Sequence, residues 1–215
     1  MNYNKVVYHG THKSNVNRIL NHGFNKSEGD RHWLGDGIYF FEDEIHAYHW
    51  ILEKYVKKNN SNIKPYYLRK SVFKDYKILR ASIKIDKNRI LDLDKTNHYI
   101  IYVSAYKEVM SEIDEHGDPV PDGALINLLF NKMGFNEDYD IVKYTFRFPK
   151  RLLGDGYIIN GNNKPKVNPP QTQICVKNPN IIKDIRIHYL KDIDKKYKEL
   201  TILFPHIYPP LKKRW

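Results

Sequence analysis

Short apolar runs of strand character alternate along this chain with stretches whose apolar residues recur at helical spacing, which confines it to a mixed α and β architecture. Residues 5–8 read as a strand entering a turn at His9-Gly10. Ser14 or Asn15 can cap a helix that puts Val16, Ile19 and Leu20 on one face and stops at Gly23. Gly35-Asp36-Gly37 leads into residues 38–41, a buried-strand pattern. Glu42, Asp43 and Glu44 then stand where carboxylates favour a helix N-terminus, and Ile45, Tyr48, Leu52 and Tyr55 follow at helical spacing. Strands at 76–85 and 89–93 flank a turn at 86–88, helices are expected over 98–115 and 124–133, and strands return at 157–159, 172–176 and 181–189. Residues 59–64 and 160–170 read as loops. With no linker dividing it, the chain is expected to be one α+β domain over 1–215, with a basic C-terminal extension at 189–215.

No segment approaches the roughly 18 apolar residues of a membrane span, and the N-terminus has no apolar core of a secretion signal, so a cytoplasmic protein is expected. A single cysteine, Cys175, excludes an intrachain disulfide framework and any zinc site of several thiolates. Phosphate-loop, dinucleotide-fingerprint and nucleophile-elbow motifs are absent. His46 and His49 stand three apart on a helix without a third ligand nearby, so no metal is expected. A second Leu-Gly-Asp-Gly at 153–156 repeats the one at 34–37 without matching flanks and reads as shared turn chemistry.

Thirty-six Lys and Arg against 25 Asp and Glu leave a formal charge of +11, which points to an anionic partner. The basic residues are interleaved with aromatics at 54–77, at 143–151 and in the terminal Pro-Pro-Leu-Lys-Lys-Arg-Trp. That mixture suits nucleic acid, because ammonium groups meet phosphates while rings offer faces to unpaired bases. Lys57, Lys58, Arg69, Lys70 and Lys74 are the expected nucleic-acid contacts, with RNA favoured over DNA.

Three separated segments carry the most chemistry: Val7-Tyr8-His9-Gly10-Thr11; Trp33-Leu34-Gly35-Asp36-Gly37-Ile38-Tyr39-Phe40; and Gln171-Thr172-Gln173-Ile174-Cys175-Val176. Their order resembles the ADP-ribosyltransferase superfamily, in its His–Tyr–Glu branch of diphtheria-toxin-like and poly-ADP-ribose-polymerase-like domains, over residues 6–188. The resemblance implies a split, mainly antiparallel sheet flanked by helices, and transfer of ADP-ribose from NAD as co-substrate. It also implies roles. His9 would hold a ribose hydroxyl, Tyr39 would stack on nicotinamide, and the Gly10 backbone would approach the carboxamide, with Tyr8, Thr11 and Gly37 alongside. Small basic members of the superfamily are often toxins of toxin–antitoxin or phage-defence systems, so an antitoxin partner is a further implication.

The third segment departs from the family pattern. Where the family has Glu, this chain has Gln173, with Gln171 two residues earlier and therefore on the same face of a strand. An amide can orient a hydroxyl but brings neither negative charge nor a general base. Single-unit transfer is therefore expected rather than chain elongation. The proton of the acceptor must go elsewhere, with Glu42, Asp43, Glu44, Glu137 and Asp155 as candidates. The competing readings are transfer to protein, a catalytically inert nucleic-acid-binding module on the same fold, and an RNA 2′-phosphotransferase.

Overall fold

The structure is a computed structural model and describes residues 1–29, 32–58, 65–111, 120–147, 170–204 and 207–208. The expected strand at 157–159, the second Leu-Gly-Asp-Gly, Asp155, the loop at 59–64 and the terminal 209–215 lie outside these residues. Strand β1 (Asn2–His12) does not turn at His9-Gly10 as the sequence suggested. It continues to His12 because its whole length pairs antiparallel with β3 (Tyr76–Asp86), with Gly10 opposite Ile78 and His12 opposite Tyr76. Helix α1 (Lys13–His22) starts earlier than expected, capped by His12, whose Nδ1 accepts from Ser14 N at 3.3 Å. Gly23, at φ +79°, ends it.

Strand β2 (Ile38–Phe41) and helix α2 (Glu44–Lys58) lie where the sequence placed them. Asp43 accepts from Ile45 N at 2.9 Å and so caps α2, which buries Ile45, Ala47, Tyr48, Ile51 and Leu52 against the sheet. A short α3 (Pro65–Leu68) precedes β3, and β4 (Ile90–Asp92) follows it after a 3₁₀ turn. These two strands do not pair with each other. β4 crosses to the far edge of the sheet and runs parallel to β5 (Ile141–Arg147). Between them in sequence stand α4 (Thr96–Ser111), α5 (Asp122–Lys132) and α6 (Phe135–Asp138). β6 (Pro170–Val176), β7 (Ile182–His188) and α7 (Ile193–Leu203) complete the described elements. The expected C-terminal extension is in part core: Tyr197, Leu200, Phe204 and Tyr208 are buried with α2.

The fold is α+β, a mostly antiparallel seven-stranded sheet in the order β4-β5-β6-β2-β1-β3-β7, flanked by helices. Its two halves are joined at one point. β1 pairs with β2 only at Tyr8 and Phe41, whereas β2 is paired throughout with β6. Register fixes which side chains share a face, since neighbours opposite one another point the same way. Tyr8, Phe41, Gln173 and Tyr144 lie on the face covered by α2, α4 and α5. Val7, Ile38, Phe40 and Ile174 lie on the other, under Val16, Ile19 and Phe24 of α1 and its exit. Among the described residues no helix is long and apolar enough to cross a membrane.

Candidate active site

His9 stands where the two half-sheets fork. Its ring shares the face of Val7 and packs edge-on against Phe24 and Phe40, with centroids 5.0 and 5.8 Å away. Nδ1 lies 2.7 Å from the backbone oxygen of Tyr39. A carbonyl only accepts, so Nδ1 carries the hydrogen and donates it across the fork. Burial lowers the imidazole pKa, against the opposing effect of the Tyr39 bond, so the ring is neutral near pH 7. Nε2 is then an acceptor of fixed direction, with no hydrogen-bond partner among the described residues.

Tyr39 does not share that cleft. Side chains alternate along β2, and because Phe40 faces His9, the Tyr39 ring must lie on the opposite face. There it tilts against His32 at 5.5 Å, and its hydroxyl donates to Gly35 O at 2.6 Å and accepts from Leu34 N at 3.0 Å. The expected pairing of the His9 and Tyr39 rings around one ligand is corrected to a bond between the His9 ring and the Tyr39 backbone. The second motif is a clamped turn. Lys177 Nζ donates to Leu34 O and Asp36 O at 2.7 and 2.6 Å, and Asn127 Oδ1 accepts from Asp36 N at 2.6 Å. Gly37 lies against Cys175 and Val176.

Gln171 and Gln173 share one face, as their spacing required, and Gln173 Nε2 donates to Gln171 Oε1 at 3.3 Å. Register sets Gln173 beside Phe41 and Tyr144, and Gln171 beside Phe146, so the amide pair belongs to the face of Tyr39 rather than that of His9. Gly10 has a different role from the one expected. A Cβ there would lie 2.7 Å from Ile51 Cγ2 and 2.8 Å from Trp50 Cε3, so the open side of the glycine admits α2 instead of a ligand. Thr11 is buried and accepts from Asn15 Nδ2 at 3.5 Å; Tyr8 meets the His188 ring edge-on at 5.0 Å.

Of the carboxylates suggested as bases, Glu42, Asp43 and Glu44 are engaged, and Asp155 lies outside the described residues. Glu42 accepts from the Tyr3 hydroxyl at 3.1 Å, Asp43 caps α2, and Glu137 lies on α6, where its carbonyl takes a bond from Arg89. Glu44 lies 2.5 Å from His188 Nε2 and 3.0 Å from Lys196 Nζ. Burial works against its charge, but the bonds from His188 and Lys196 outweigh it and hold the carboxyl below its ordinary value of 4.5. A depressed carboxylate contributes stability above its unfolded pKa, and that contribution disappears as pH falls through the folded value. Acid unfolding followed by circular dichroism should therefore decline less steeply in Glu44→Gln than in the native protein below about pH 4.5.

Sequence reasoning missed His46. It was visible only as one half of a histidine pair, yet it is buried, with ring centroids 6.2 Å from both Phe41 and Phe204 and an Nδ1 without a hydrogen-bond partner. His49 stacks on Phe204 at 4.1 Å and meets the Tyr208 hydroxyl at 2.7 Å.

The basic residues expected to bind nucleic acid do not form one open surface. Arg69 is 17% exposed, bonded to Asp194 at 2.5 Å and laid over the Tyr66 ring at 3.7 Å. Lys70 also meets Asp194, at 3.2 Å, and Lys57 meets Glu53 at 2.6 Å. Lys58 and Lys74 are exposed and have no acidic partner among the described residues. The interleaved aromatics are mostly packing groups: Phe73 stacks on Tyr48, Tyr66 meets Tyr197, and Tyr76 is buried. Alternation of Lys with Tyr looks the same whether the rings face solvent or the core, and here helix α7 supplies the acid and the covering surface.

No family model matches the chain. An uncharacterized protein of Methanocaldococcus jannaschii is 34% identical over 203 residues, covering 88% of this chain and 90% of that protein. An identity of that size over nearly the full length of both sequences makes this chain a member of the same protein family as the archaeal protein.

Proposed function

We propose that this protein cleaves NAD and transfers a single ADP-ribose unit to an acceptor. The observation that carries this reading is the fork between β1 and β2, with a neutral His9 tied across it by Nδ1 and presenting Nε2 as an acceptor. Such a group fits a ribose hydroxyl, which must donate. The Gln171–Gln173 pair fits a second hydroxyl or an amide, since each side chain both donates and accepts. Gly10 and the Tyr39 hydroxyl fit less well, being already occupied by α2 and by the turn.

In this reaction the bond from ribose C1′ to the nicotinamide nitrogen breaks, and its electron pair leaves with nicotinamide, neutralising the ring. A lone pair of the acceptor forms the new bond to C1′, and the acceptor proton is released to solvent. His9 orients the ribose from its face of the sheet, and Gln173, held by Gln171 on the opposite face, directs its carbonyl dipole towards the developing positive charge through the opening between β1 and β2. The acceptor we propose is nucleic acid, on the strength of the +11 charge of the whole chain.

Binding stabilises a folded protein by RT ln(1 + [L]/Kd), about 2.7 kcal/mol at a hundredfold excess over Kd. NAD should therefore raise the melting temperature of the native protein, and His9→Ala should remove most of that rise. Equal rises in both proteins would refute the role given to His9.

A further inference from the structure

A cavity of about 320 Å³ opens beside β1, β4 and β5, walled by lysines from four separate places in the chain. Lys5 comes from β1, Lys87 from the turn after β3, Lys95 from the segment after β4, and Lys143 from β5. We propose that this cavity binds the phosphate groups of a small nucleotide-sized molecule.

The charge arrangement carries the argument. Two carboxylates, Asp92 and Glu42, also line the cavity, and both are already engaged. Asp92 lies 3.2 Å from Lys143 Nζ, which also meets Asp94 at 3.4 Å, and Glu42 takes the Tyr3 hydroxyl at 3.1 Å. Lys5, Lys87 and Lys95 have no acidic partner among the described residues. Three lysines without an acidic partner line one concave space, so an anion bound there is attracted by all three.

Two of the lysines are also held in place by their backbones. Lys87 N donates to Met1 O and Lys95 N to Asp92 O, both at 2.9 Å, so the ends of the cavity are fixed while the ammonium groups can adjust. Lysine serves phosphate as a mobile point charge, which suits a cavity of this kind. The volume matches the lower end of small-molecule sites, and Tyr3 with the buried Ile90 gives it an apolar wall against which a sugar or base can rest.

This inference does not rest on NAD cleavage at the fork. Lys5 precedes His9 by four residues of one strand, about 13 Å, and the fully buried Val7 stands between them.

Titration calorimetry with ADP, inorganic pyrophosphate and a 5′-phosphorylated oligonucleotide at low salt tests the proposal. ADP is expected to bind saturably at one site, with pyrophosphate competing. Lys5→Ala, Lys87→Ala and Lys95→Ala should each weaken ADP about tenfold, while Lys198→Ala on the exposed face of α7 leaves it unchanged. All three lysines are exposed, and unchanged melting of the variants without ligand shows that the fold is intact. No saturable binding of ADP, equal affinity in the Lys5→Ala and Lys95→Ala proteins, or binding of the oligonucleotide alone would each overturn it. Loss of ADP binding in His9→Ala with affinity kept in the lysine variants would return the nucleotide to the fork.

Discussion

Alanine in place of Gly37 should destabilise the protein by roughly 3 kcal/mol, the largest effect expected of any single methyl group in the turn before β2. Its Cβ would lie 2.5 Å from the Cys175 sulfur and 2.8 Å from the Val176 carbonyl oxygen. Cys175 is fully buried and Val176 is paired in the sheet, so neither can withdraw without moving β6. The backbone at φ +157° adds strain for any residue with a side chain. Gly37 is also bonded on both sides to Ser27, so a shift would open that bridge too. Gly23 provides the comparison: its φ is +79°, but nothing lies within 4 Å of an added Cβ, and alanine there should cost about 1 kcal/mol. Urea denaturation of the two variants separates close packing from backbone strain. Similar midpoints for both would show that the contact with Cys175 is not tight.

The largest effect on chemistry is expected at Gln173. If its amide, steadied by Gln171, directs a dipole at the ribose, then Gln173→Ala should lower the rate of nicotinamide release about a hundredfold with a smaller change in NAD affinity. Gln173→Glu should keep or raise that rate, because a carboxylate stabilises positive charge better than an amide. Gln171→Ala should fall between native and Gln173→Ala, since it removes only the support. Full activity in Gln173→Ala would transfer the role to Gln171 or away from β6 altogether.

How much of this was legible in the sequence depended on whether local chemistry or distant partners decided the outcome. The stop of α1 at Gly23, the β2 strand and the cap of α2 by Asp43 are local matters, and the residues announced them. The continuation of β1 through His9-Gly10 was not local. A strand reads as ended at His-Gly until β3 is known to pair beyond it. β5 was hidden because Lys143, Tyr144, Thr145, Phe146 and Arg147 read as a basic aromatic surface, although alternate residues face opposite sides of the sheet.

The site was legible in composition but not in orientation. His9, Tyr39, Gln171 and Gln173 stand on the neighbouring strands β1, β2 and β6, with His9 on one face of the sheet and the other three on the opposite one. Which face each occupies depends on register between strands thirty to a hundred and thirty residues apart, and register leaves no mark in a single strand. Arg69 illustrates the same limit, because Asp194, which neutralises it, lies 125 positions away.

Incubation with NAD labelled in its adenosine half tests whether this protein cleaves NAD at the fork. Native protein mixed with separate pools of RNA, DNA and protein should release nicotinamide and pass an equal amount of label to the RNA pool. His9→Ala should do neither. Absence of both nicotinamide release and label transfer by the native protein would rule out NAD cleavage at the fork.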